Sequence, residues 1–175
     1  MNEETLSLFR NLTELQGTPG NEHHVRAFFM KRNLRNILMN SFKTVLAECL
    51  AYARGRKKTP KIMVAGHMDE VGFMVSSITK NGMIRFQTLG GWWSQVMLAQ
   101  RVDVHTDHGP IPGVVSSTPP HLLTPEQKSK PVKPSDMLID IGADSEEEAK
   151  ELGVRPGQQI VPATVFTPMA NPKRF

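Results

Sequence analysis

The sequence predicts an α/β chain that carries a small all-β domain. Three observations lead there. Two amphipathic helix patterns open the chain. A buried strand then ends on a histidine, in "KIMVAGHMDEVGFMV". Beyond it, short apolar runs alternate with Gly and Pro as far as Phe166, the signature of a small β-barrel or sandwich.

The chain has 175 residues, enough for one ordinary domain or two small ones. Hydrophobic residues make up 39% and charged residues 22%, a globular balance rather than a disordered one. No apolar run approaches the roughly 18 residues of a membrane span. The acidic start, "MNEETLSLF", does not read as a signal peptide, and no membrane partner is expected. The single cysteine, Cys49, leaves no internal disulfide and suits the cytoplasm. The net charge is +4, but it is not evenly spread. Between Lys31 and Lys61 stand nine Lys or Arg and one acid, Glu48, so the rest of the chain is net negative. A nucleic-acid partner is not expected, because no aromatic stacking platform accompanies that charge.

In order along the chain, "TLSLFRNLTELQ" (5–16) places Leu6, Phe9, Leu12 and Thr13 at helical spacing. "GTPG" stops that helix, and Asn21 is placed to cap a second, "EHHVRAFFM". His23 and His24 are adjacent, cannot share a helix face, and read as surface residues. Ile62–Ala65 and Val71–Ile78 read as strands. "KNGM" predicts a two-residue type I′ hairpin turn, with Met83–Leu89 returning as a strand. "VMLAQRVDVHT" and "PIPGVVSS" follow, separated by a turn at "DHG". Pro119–Asp136 is a long Pro- and Lys-rich loop, either mobile or pinned by a neighbour. "MLIDIGA" is a strand. "DSEEEAKELG" is a short helix capped by Ser145 and stopped by Gly153. "RPGQQIVPATVF" adds a turn and a last strand.

A histidine at a strand's C-terminal end sits where open α/β sheets place their ligands. The carboxylate of Asp69, two residues after His67, can accept a hydrogen bond from the imidazole and fix its tautomer. From spacing alone the stretch reads equally as a strand–turn–strand with polar turn residues. One histidine cannot hold a metal by itself.

"KIMVAGHMDEVGFMV" resembles the signature of the glutamyl and deblocking metallo-aminopeptidases, peptidase family M42. "ELQGTPGNEHHVRAFF", "LGGWWSQVMLAQRV", "SSTPPHL", "MLIDIGADSEEEAKELGVRPGQQIVP" and "FTPMAN" are similar to further segments of that family, in order. The likeness covers residues 5–30 and 59–173. It implies an α/β catalytic-domain fragment of the di-metal exopeptidase type with an inserted small β-barrel dimerisation domain. Residues 1–71 would be the first part of the catalytic domain, 72–166 the barrel, and 167–175 the return. The resemblance also implies peptide substrates, assembly from dimers up to a tetrahedral dodecamer, and two divalent metal ions, zinc or cobalt. A metal-bound water, activated by a glutamate base, would attack the first peptide carbonyl. By position, His67 matches a metal ligand and Asp69 the catalytic carboxylate that orients the site. Glu70 matches a position with no assigned catalytic role.

Two departures stand out. The family's bridging aspartate, its glutamate base and its other ligands lie beyond the equivalent of Phe175. The expectation is therefore at most one weak metal site and an inactive or nearly inactive chain, since losing such groups forfeits factors of at least ~10³–10⁴. His105, His108 and His121 read as surface, structural or barrel positions rather than a rebuilt site. The second departure is the segment 31–57. Where relatives have a glycine-rich strand containing "DGLGG", this chain has "KTVLAECLAYAR". Read from the third base of the Lys43 codon, permissible codons for that stretch give "DGLGGVFGIR". Compensating frameshifts near Met30 and Gly55 account for this. The alternative is an amphipathic helix through Leu38, Phe42, Val45, Leu46, Cys49 and Leu50. Among other functions, a non-catalytic assembly module built on the barrel remains open. A glycosidase would need a facing carboxylate pair, and none is singled out.

Overall fold

The structure, a computed structural model, describes residues 2–31, 40–43, 49–52 and 65–171. The chain forms two compact units, Met1–Glu70 and Val71–Phe175.

In the first unit, helix α1 spans Glu3–Thr13. It starts earlier than the apolar pattern suggests because Asn2 caps it, accepting from the Thr5 N–H at 2.9 Å. Glu3 and Glu4 in the first turn suit the positive end of the helix dipole. Helix α2 spans His23–Lys31 and buries Val25. Asn21 does not act as its cap. Its amide donates to the Thr18 hydroxyl at 3.4 Å, because the tight turn that bonds Asn21 N–H to Thr18 O leaves it one position too early. His23 and His24 are exposed, as expected.

Strands β1 (Asn40–Lys43) and β2 (Cys49–Tyr52) pair antiparallel, with Asn40 opposite Tyr52 and Lys43 opposite Cys49. At these described positions this corrects the helical alternative, which ran through Phe42, Cys49 and Leu50. Periodicity over so few residues does not separate helix from strand. The other residues of 31–57 except Lys31 lie outside the described residues, as does the strand expected at Ile62–Ala65 apart from Ala65, which has no regular structure.

The second unit closes a six-stranded barrel. Its strands are β3 (Gly72–Ile78), β4 (Ile84–Leu89), β5 (Arg101–Thr106), β6 (Gly109–Ser116), β7 (Leu138–Asp140) and β8 (Gln159–Pro162). Their order around the barrel is β3-β4-β7-β6-β5-β8, with β8 returning to β3. A barrel this small is filled by its own side chains. Alternation sends Phe73 and Val75, then Val102 and Val104, inward to meet Ile84, Val115, Ile139 and Ile160. Ile160 lies opposite both Phe73 and Val104, so one residue of β8 joins the two halves.

The β3–β4 turn is not the expected type I′. The Gly82 N–H donates to Thr79 O at 3.0 Å, and the Thr79 N–H donates to Met83 O at 2.8 Å. Gly82 has φ 78°, whereas Asn81 is not among the residues with positive φ. This is a type I turn followed by a left-handed glycine, the three-residue hairpin alternative. The loop 119–136 is pinned rather than loose. Helix α3 (Pro125–Lys128) carries a Thr124–Gln127 capping box, and Val132 packs on the barrel core. Helix α4 (Glu146–Glu151) is capped by Ser145, which accepts from Glu148 N–H at 3.1 Å.

Candidate functional site

The segment Ala65–Glu70 runs without regular secondary structure, and within it His67 and Asp69 hold each other. His67 Nδ1 lies 2.9 Å from the Asp69 carbonyl oxygen and 3.1 Å from Asp69 Oδ1. Both of those atoms are acceptors, so Nδ1 carries the proton and Nε2 keeps the lone pair. The His67 side chain is 82% exposed and that of Asp69 37%, which leaves the ring open to a ligand. An imidazole backed by a carboxylate in this way is a more basic, better oriented metal ligand.

Glu70 behaves differently. Its N–H donates to the Gly17 carbonyl at 2.7 Å, and its Oε1 accepts from the Gly17 N–H at 3.3 Å. Burial pushes the Glu70 carboxyl above its ordinary value, and the bond from Gly17 opposes that rise. Sequence reasoning missed this contact. The partners lie 53 residues apart, and no local pattern couples them.

The remaining candidates are scattered. His105 lies on β5 and is half-buried, His108 is exposed in the β5–β6 turn, and His121 is exposed in the short 3-10 turn Pro120–Leu122. Among the described residues, no group of three or more His, Cys, Asp or Glu could hold a metal ion. The described residues alone therefore do not supply a two-metal centre; His67 Nε2, with Asp69 behind the ring, is a nitrogen that could bind one ion.

The fold and the segment around His67 define a two-unit α/β chain that carries a closed barrel, and comparison names its family. A family profile described as M42 glutamyl aminopeptidase matches residues 48–175, and one described as AMPT matches residues 3–29. The chain belongs to the M42 glutamyl aminopeptidase family. A relative named FrvX in Escherichia coli (strain K12) is 42% identical over 168 residues, which is 92% of this chain and 45% of the relative. The glutamyl aminopeptidase of Lactococcus lactis is 37% identical over 174 residues, 98% of this chain and 49% of the relative. Among solved structures, a TET aminopeptidase from a marine sediment archaeon of the Thaumarchaeota superposes with TM-score 0.89 at 44% identity. That match covers 97% of this chain and 47% of the other. The Pyrococcus horikoshii TET1 peptidase, described as able to assemble into a tetrahedron or a large octahedral shell, superposes with TM-score 0.79 at 29% identity. It covers 94% and 48% of the two chains. The chain thus spans about half the length of the curated relatives it matches.

Proposed function

We propose that this chain is part of a metal-dependent aminopeptidase that removes N-terminal residues from peptides, with glutamyl or broad preference. His67 serves as one metal ligand through Nε2, and Asp69 holds the imidazole in place from behind. The observation that carries this reading is the His67–Asp69 hydrogen bond, within a stretch that falls inside the family match. The metal would be zinc or cobalt, supplying a polarised water in the complete site. On this reading the other ligands and the general base come from outside the described residues, which hold no group of three or more His, Cys, Asp or Glu that could bind a metal ion, and the chain on its own would be inactive or nearly so. A cytoplasmic location belongs to the same proposal and rests on the single cysteine.

The test uses glutamyl, lysyl and leucyl p-nitroanilides with zinc or cobalt. The 175-residue chain should show no turnover, and turnover would end the claim of inactivity. Joined to the C-terminal half of the Lactococcus enzyme, it should gain turnover that His67→Ala abolishes. Unchanged turnover in that variant would remove His67 from the site.

A second reading concerns the barrel, which closes around its own core. We propose that it mediates self-association, as a dimer or a larger assembly. Residues 72–166, sized by gel filtration, should elute as a folded dimer. A folded monomer at high concentration would count against this role.

A further inference from the structure

The peptide bond between Asp69 and Glu70 is held from both sides. Its carbonyl accepts from His67 Nδ1 at 2.9 Å, and its N–H donates to the Gly17 carbonyl at 2.7 Å. A trans peptide points these two groups in opposite directions within one plane. The plane therefore bridges the imidazole and the turn between α1 and α2. Glu70 Oε1 accepts from the Gly17 N–H at 3.3 Å, so Gly17 and Glu70 exchange two bonds. Gly17 is itself fixed by packing. It is buried, and a Cβ there would stand 2.9 Å from Val25 Cγ2 and 3.5 Å from the Met68 carbonyl oxygen.

We propose that Glu70 is a positioning residue: it anchors the 69–70 peptide plane on Gly17 and thereby keeps His67 protonated on Nδ1, with Nε2 free. The inference rests on the reading of His67 as a metal ligand only for its significance, not for its geometry. The physical basis is a chain of hydrogen bonds that polarise one another. The pull of Gly17 O on the Glu70 N–H makes the Asp69 carbonyl a stronger acceptor for the ring. The Asp69 carboxylate adds a second bond at 3.1 Å, but it is the shorter carbonyl bond that the Gly17 turn controls. An exposed imidazole without this hold would populate both tautomers. The arrangement also gives a physical role to the acid that follows "HMD".

The experiment is ¹⁵N NMR of the His67 ring in the full 175-residue chain, at a pH where the imidazole is neutral. Wild type should show the Nδ1–H tautomer, and Glu70→Gln, which keeps an acceptor at the same reach, should retain it. Glu70→Ala should lose the preference and show both tautomers. The same tautomer ratio in Glu70→Ala as in wild type, with α1 and α2 amide signals intact, overturns the proposal. Should Glu70→Ala disorder those helices, Glu70→Asp takes its place. Its carboxylate is one methylene short of Gly17, so the preference should fall, and an unchanged ratio overturns the proposal equally. None of these readouts uses a metal or turnover. A failed tautomer test and a failed aminopeptidase assay are therefore separate results.

Discussion

Phe73 and Trp92 stack in the barrel unit, with ring centroids 4.6 Å apart and planes 19° from parallel. Phe73 also meets Phe86 edge-on at 4.9 Å, and the Trp92 indole N–H donates to the Gly72 carbonyl at 2.9 Å. Phe73 is fully buried. Phe73→Ala should therefore destabilise the barrel by about 3–5 kcal/mol. Trp92→Phe keeps a ring on Phe73 and removes mainly the donor, so it should cost about 0.5–1.5 kcal/mol for the lost bond. Urea unfolding monitored by circular dichroism distinguishes the two. Equal costs would show that the stacked pair does not centre the core.

Gly82 and Gly109 both have positive φ, 78° and 115°, but their surroundings differ. A Cβ on Gly82 would collide with the Ala143 backbone carbonyl, whereas one on Gly109 meets nothing within 4 Å. Gly109→Ala should cost only the positive-φ strain, about 1–3 kcal/mol. Gly82→Ala should cost distinctly more, because backbone atoms must move as well. Thermal unfolding of the two variants checks the order, and a reversed order would show that the collision is relieved cheaply.

Arg155 and Asp107 form a bidentate pair at 3.0 Å, yet their side chains are 59% and 71% exposed. Gln158 is uncharged but buried. It donates to Gly153 O and accepts from the Arg155 N–H, each at 2.9 Å. Screening leaves an exposed ion pair worth about 0–1 kcal/mol. Orphaning these part-buried backbone groups, and emptying the buried Gln158 position, costs about 1–3 kcal/mol. Gln158→Ala should therefore destabilise more than Arg155→Ala in denaturant titrations. Only the Arg155 effect should shrink in high salt.

Burial raises the Glu70 carboxyl above the ordinary 4.5, and the Gly17 N–H partly offsets this. A raised folded-state value means that the folded chain holds the proton more tightly than the unfolded chain. The stability Glu70 contributes is then fully present below the ordinary value and is lost as pH rises through the folded one. Glu70→Gln does not titrate. The stability of wild type relative to this variant should decline as pH climbs through that window. The decline is small because the group is only half-buried. Hydrogen exchange of α2 amides across the window measures it, and a flat difference would remove Glu70 from the pH response.

The frameshift reading of the basic segment makes a prediction at the nucleotide level. The two family matches leave residues 30–47 between them, and the second begins within the segment. The coding DNA, read from the third base of the Lys43 codon, should give Asp-Gly-Leu-Gly-Gly. Codons that forbid that string would end the idea and leave the segment as true protein sequence.

Much of the fold was legible because its signals are local. Ser145 and Gly153 bound α4 as cap and stop, and Asn81-Gly82 marked a hairpin. What misled were choices between two local solutions of similar cost. Asn81-Gly82 allowed a type I′ turn, but the chain took a type I turn with Gly82 left-handed. Asn21 looked like a cap, but the Thr18 turn claimed it. The helical spacing of Leu38–Leu50 gave way to paired strands at its described positions.

By itself the sequence determined the alternating strands, the glycine and proline punctuation, and the adjacency of His67 and Asp69. Each of these follows from backbone preference or side-chain reach over a few residues. Tertiary structure alone decided that the strands close as β3-β4-β7-β6-β5-β8, because closure depends on β8 pairing with both β3 and β5. It alone joined Gly17 to Glu70 across 53 residues. Contacts of that kind are chosen by which surfaces meet once the chain is compact, and no short stretch encodes them.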